Sequence, residues 1–317
     1  MSLITPVSFI NEDGFQLFGM LEKPPADIDC SKAIILLSPG IKMRVAPHRL
    51  YNKMSNYYAS LGFSVLRFDF YGLGDAGGDV EEEFLADLYG SIQVGRYVSD
   101  TLIAIDWLSK KCGTSDIIIA GLCGGAITGL LAAQSDDRVK GLIALGIPVV
   151  LDSSSTDAAK YITSGQMDRL HKGYIRRLLS VKSWLRLLTF QSDYRIIFNI
   201  FKNKFNKVFS KTSVDQSEVS ASSAAPDNSN PLFAPAFFNM LEKGNRILLV
   251  FSGTDRLKWE FDEKFKKRFS HQLEKYTNLV DEVEIKEANH IISMPEWQQE
   301  MFSTSEFWLN SNFIKHE

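Results

Sequence analysis

Cys123 sits between Gly121-Leu122 and Gly124-Gly125, directly behind the apolar run Ile117–Ala120 and ahead of the small-residue run Ala126–Ala133. A sharp strand-to-helix turn needs small residues on both sides of its central position, and it holds that central side chain up and accessible. A thiol presented in this way can act as a nucleophile, and the first turn of the helix behind it favours the thiolate. Covalent catalysis then requires a base and an acid that orients it. His290 follows the run Glu282–Ile285 and precedes a helix-like segment, and Asp255 follows the run Arg246–Phe251. Asp152, behind the run that ends at Leu145, is an alternative acid. The geometry expected of such a trio is attack by Cys123 on a carbonyl carbon, with His290 as proton carrier and Asp255 holding its tautomer. The resulting oxyanion needs N–H donors. Gly124 would supply one, and Gly40 or Ile41, behind the first buried strand, the other.

The elements that must position these residues alternate between strand and helix. Val7–Ile10 and Phe15–Leu21 read as a hairpin turning at Asn11-Glu12-Asp13-Gly14. Ala33–Leu37, Phe63–Phe68, Ser115–Ala120, Val139–Leu145, Arg246–Phe251 and Glu282–Ile285 read as buried strands. Arg49–Leu61, Phe84–Ser109, the segment from Ala126 to Gln134, a stretch from Glu260, and Pro295–Leu309 read as helices. This is the pattern of a mostly parallel sheet with helices on both faces, and with the Gly-Leu-Cys-Gly-Gly turn it predicts the α/β-hydrolase fold. The expected organisation is an N-terminal part of the core over 1–150, an inserted helical lid over 151–212, a Ser-rich flexible linker over 213–230, and a C-terminal part of the core over 231–317.

Composition narrows the field. The chain has 317 residues, 45% apolar and 23% charged, with net charge −3, which suits a globular enzyme and gives no general attraction to nucleic acid. Cys30, Cys112 and Cys123 form no CxxC pair, so neither a disulfide framework nor a zinc site is suggested. No metal or organic cofactor is implied. The N-terminus lacks a basic-then-apolar signal, and no apolar run reaches the roughly 18–20 residues of a membrane span, so a cytoplasmic location is expected. Between Lys160 and Lys211 twelve Lys or Arg face two acidic residues, interleaved with aromatics, and Tyr194–Phe205 has the look of a basic amphipathic helix. Such a lid fits an anionic or lipid-linked substrate, or peripheral attachment to an acidic membrane surface. The Gly72-Leu73-Gly74 loop opens no helix in the dinucleotide-binding register, and Asp69 and Asp75 are expected to satisfy loop amides.

Several segments together resemble the exosortase A system-associated hydrolases, type 1 group, among the serine aminopeptidase-like and dienelactone-hydrolase-like α/β hydrolases. The resemblance rests on Ser38-Pro39-Gly40-Ile41-Lys42-Met43-Arg44 through Pro47-His48-Arg49, Leu66 to Asp75, Gly121-Leu122-Cys123, Tyr174 to Ser180 with Trp184, and Asn289-His290 followed by Pro295-Glu296-Trp297. It implies substrate contacts from Arg44, His48, Arg49 and Trp184, and an ester or thioester hydrolase linked to bacterial exopolysaccharide or cell-surface biosynthesis. Two other readings stand beside that one: acyl transfer to a sugar or lipid hydroxyl, and ligand or partner binding without turnover.

Overall fold

Strands that are apolar on both faces need cover on both faces, and this requirement organises the molecule. A computed structural model describes residues 2–25, 32–82, 85–151 and 227–314. Met1–Asp157 and Asn228–Glu317 form one compact unit. Eight strands form one sheet in the order β1-β2-β4-β3-β5-β6-β7-β8. They are β1 Leu3–Ile10, β2 Gln16–Lys23, β3 Ala33–Leu37, β4 Ser64–Phe68, β5 Ile117–Leu122, β6 Val139–Leu145, β7 Arg246–Ser252 and β8 Val280–Ile285. β1 pairs antiparallel with β2 and β2 antiparallel with β4, and every other neighbour is parallel.

Among the described residues the helices of five or more residues that the site depends on are α1 Leu50–Ser60, α2 Leu85–Gln93, α3 Val98–Cys112, α4 Gly124–Ser135, α5 Phe233–Glu242, α6 Arg256–Glu260 and α7 Pro295–Asn312. Alternation along each central strand divides the core in two. Ile35 and Leu37 of β3 join Leu88, Ile105, Leu130 and Phe237 of α2 to α5 on one face. Ile34 and Leu36 join Tyr51, Met54, Met301 and Leu309 of α1 and α7 on the other.

β3 lies between β4 and β5, so the chain winds outward in one direction to β4 and in the other from β5 onward. The loops diverge where that direction reverses, which opens a crevice at the carboxyl ends of β3 and β5. Gly40 and Cys123 occupy those two loops.

One local expectation changes. Phe84–Ser109 is not one helix: α2 and α3 are separated at Gly95, whose φ of 109° ends the first. Phe233–Glu242 is a helix despite Pro235, because a proline in the first turn removes only an N–H that has no intrahelical acceptor. Most of 151–212 and 213–230 lies outside the described residues. Ser229 bridges Val150, and the amides of Leu151 and Asn230 donate to Asn228 and Val149. The chain therefore leaves and rejoins this unit at adjacent points.

Candidate active site

Cys123 occupies the turn between β5 and α4 at φ 54°, ψ −113°, a conformation disfavoured for any residue with a Cβ. The surroundings leave the backbone no alternative. A Cβ on Gly121 would lie 2.4 Å from the carbonyl carbon of Gly125, one on Gly124 2.6 Å from the Cα of Gly40, and one on Gly125 2.3 Å from the carbonyl oxygen of Leu37. The Cys123 amide is fixed by donation to Leu145 O at 2.8 Å. The small residues expected on either side of Cys123 are thus required by contact with β3 and its loop. As the first residue of α4, Gly124 keeps its amide outside the helical ladder. It lies against Gly40, so the two candidate oxyanion loops meet beside the sulfur. Ile41 packs its side chain partly into the core.

On the other side of the crevice the loops after β7 and β8 bring Asp255 and His290 together. His290 Nδ1 and Asp255 Oδ2 are 2.5 Å apart. A carboxylate only accepts, so Nδ1 carries the proton and Nε2 is the nitrogen left for Cys123. The hydrogen bond to Asp255, then that to Cys123, against the opposing effect of burial, pushes the imidazole up to about 10. The loops are tied directly to each other. Ser252 Oγ donates to Asn289 O at 2.8 Å, and Thr254 Oγ1 to Ala288 O at 2.6 Å. Gly253 permits this approach, since a Cβ there would stand 2.3 Å from Lys286 O.

A cavity of about 250 Å³ opens over Cys123, Gly124, His290 and Asp255. Ile92, Pro148 and Leu257 make its apolar wall, while Tyr89, Gln93 and Arg256 add polar edges. None of these six was singled out from the sequence. Nothing in the sequence distinguishes Ile92 or Leu257 from ordinary core residues. Among the described residues Arg44, His48 and Arg49 do not line this cavity. Arg44 pairs with Asp69 and Asp75, and its amide donates to Asp69. Asp69 also accepts the Asp75 amide at 3.1 Å, and a Cβ on Gly74 would lie 2.3 Å from its carboxylate, so this loop is built around the Asp69 side chain. His48 and Arg49 are exposed. Trp184 and Asp152 lie outside the described residues. Among the described residues no group of three or more His, Cys, Asp or Glu could hold a metal ion, and no helix is long and apolar enough to cross a membrane.

No family model matches the chain. It is 34% identical over 91 residues to "Putative hydrolase YtaP" of Bacillus subtilis (strain 168), a match spanning 27% of this chain and 30% of that protein. Among solved structures, the Pyrococcus furiosus esterase Pf2001 superposes with a TM-score of 0.58 at 18% identity, covering 98% of this chain and 93% of the esterase. The α/β hydrolase GrgF from Penicillium sp. sh18 does so with a TM-score of 0.56 at 14% identity, covering 99% and 100%. With its sheet order, its strained Gly-Leu-Cys-Gly-Gly turn and these likenesses, the chain has the α/β-hydrolase fold.

Proposed function

We propose that this protein is a hydrolase of esters or thioesters that forms an acyl intermediate on Cys123. The observation that carries the reading is the strained placement of the sulfur beside a histidine whose other nitrogen is held by Asp255. With its imidazole raised to about 10, His290 holds a proton through neutral pH. The imidazole therefore enters the reaction charged, with an Nε2–H available on the side of Cys123. Sγ attacks the carbonyl carbon, and the oxyanion is received by the Gly124 amide and by Gly40 or Ile41. His290 Nε2–H then protonates the departing alkoxide or thiolate. The neutral imidazole next takes a proton from water, whose oxygen attacks the thioester on Cys123 and releases the acid. The sequence resemblance extends the proposal to acyl groups used in bacterial exopolysaccharide or cell-surface assembly, and the basic segment Lys160–Lys211 suits an anionic or lipid-linked substrate.

The test is mass spectrometry of the protein after brief exposure to p-nitrophenyl acetate and, separately, to iodoacetamide. Acylation and alkylation at Cys123, both much slower in His290→Ala, are expected. A Cys123 no more reactive than Cys112 and indifferent to His290 sinks the reading.

A further inference from the structure

One buried hydroxyl beneath the crevice has no part in the steps above. Tyr51, in the first turn of α1, is fully buried. Its hydroxyl donates to Leu37 O at 2.8 Å and accepts the Leu122 amide at 2.8 Å. Leu37 ends β3 and Leu122 ends β5. The two strands pair in parallel as far as Leu37 opposite Gly121, and the Tyr51 hydroxyl links them immediately beyond. On one side of this bridge the chain runs Ser38-Pro39-Gly40-Ile41; on the other it runs Cys123-Gly124. These are the two stretches whose amides the oxyanion needs.

The segment before α1 delivers the ring to this place. Ala46, His48 and Arg49 all have positive φ, at 58°, 55° and 58°. Such conformations persist in residues other than glycine only where the surroundings impose them. Here Arg44 is held by Asp69 and Asp75 at one end, and the Tyr51 amide donates to Val45 O at 3.2 Å at the other. Burial also drives the phenol above its ordinary pKa, so the group remains a neutral hydroxyl able to donate and accept at once.

We propose that Tyr51 is a positioning residue that fixes the spacing between the Gly40–Ile41 loop and Gly124, and through it the geometry of the oxyanion hole. This inference rests on the acyl chemistry proposed for Cys123. Without the hydroxyl, Leu37 O and the Leu122 N–H lose a buried partner and the two loops lose their shared tie.

Two reactions of the same sulfur separate this role from simple support of the fold. Acylation by p-nitrophenyl acetate passes through a tetrahedral oxyanion, whereas alkylation by iodoacetamide displaces iodide from a saturated carbon and forms none. In Tyr51→Phe, acylation should fall about 10–100-fold through a lower kcat with little change in KM, since small displacements of oxyanion donors are costly. Alkylation should stay within about twofold, because the thiolate and His290 are untouched. Tyr58→Phe, which removes another buried hydroxyl of α1, bonded at 3.0 Å to Ser305, is the control and should leave both reactions near wild type. Should Tyr51→Phe not fold, Tyr51→Gln, which keeps a donor and an acceptor on a shorter side chain, is read in the same pair and should show the same selective loss. Equal slowing of both reactions, or no slowing of either, overturns the proposal. Wild-type Cys123 that is alkylated rapidly but never acylated overturns the acyl chemistry itself, and is recognised without any Tyr51 variant.

Discussion

The proposed nucleophile half and the proposed base half of the site are anchored by different physics. Around Cys123 the backbone is wedged: Gly121, Gly124 and Gly125 each meet backbone atoms at distances that exclude a Cβ, and β5 lies at the centre of the sheet, buried along its whole length. Around His290 the anchors are hydrogen bonds between two loops, donated by Ser252 and Thr254 and accepted by Asp255, beside an edge strand that is only partly buried. The His290 side chain keeps 38% of its exposure. Close packing can impose a strained φ on Cys123 because cores do not deform continuously. Hydrogen bonds deform more readily, which suits an imidazole that, in the proposed reaction, faces the sulfur, then the leaving group, then water. The two halves should therefore fail differently when altered.

The largest effect, and the sharpest split between activity and stability, is expected from Cys123→Gly. Ester hydrolysis should fall by about 10⁴-fold or more with loss of the nucleophile. Glycine adopts φ 54° without penalty, so the variant should melt at a higher temperature than wild type, by the equivalent of about 1 kcal/mol. A lower melting temperature would contradict the strain. His290→Ala should cost about 10²–10⁴-fold in kcat with little change in the urea midpoint, since it removes a partly exposed side chain. Gly125→Ala should behave in the opposite way, losing about 3 kcal/mol in urea denaturation through overpacking against Leu37 O. If Gly125→Ala were neutral, close packing would not be what holds the elbow.

The same contrast explains what could be read from the chain. Cys123, Asp255 and His290 were legible because each follows a strand of a parallel sheet, and a parallel sheet places successive strand ends along one edge. The glycines beside Cys123 were legible as small residues, but not the reason for each, which is contact with Leu37 and Gly40. Tyr51 was visible only as one residue of a helix, since its partners lie 14 and 71 positions away and periodicity says nothing about them. Arg44, placed at the substrate by resemblance, is ion-paired across 25 positions to Asp69. The break at Gly95 is not legible in the sequence because the apolar pattern continues on both sides of it.

pH offers a gentler way to test the base half. The His290 pKa is raised from about 6.5 to about 10, first by the bond to Asp255. A raised histidine stabilises the fold fully below about pH 6.5, and that contribution disappears as pH climbs through about 10. The excess of wild-type melting temperature over that of His290→Ala should be widest near pH 6 and should close toward pH 10. The partial exposure of the ring keeps this excess small. kcat should decline over the same upper limb as the imidazolium is lost. A gap that opens with rising pH would reverse the assignment of the proton.

The smallest effect should come from Thr254→Val, which removes the hydroxyl donor to Ala288 O while preserving shape and leaving the Thr254 amide, 3.3 Å from the same oxygen, in place. The lost bond should cost about 1 kcal/mol in urea denaturation. Its interest lies in where the loss is felt. The Thr254 and Ala288 loops carry Asp255 and His290, so a small shift between them misaligns the ring with the sulfur without touching the elbow. kcat should drop several-fold, and the optimum should move to lower pH as the bond between His290 and Asp255 lengthens. In the elbow a change of similar energy should move the pH optimum less, because the bond to Asp255 raises the imidazole more than the contact with Cys123 does. A Thr254→Val profile that matches wild type in shape and differs only in height would mean that the base half is wedged as firmly as the nucleophile half.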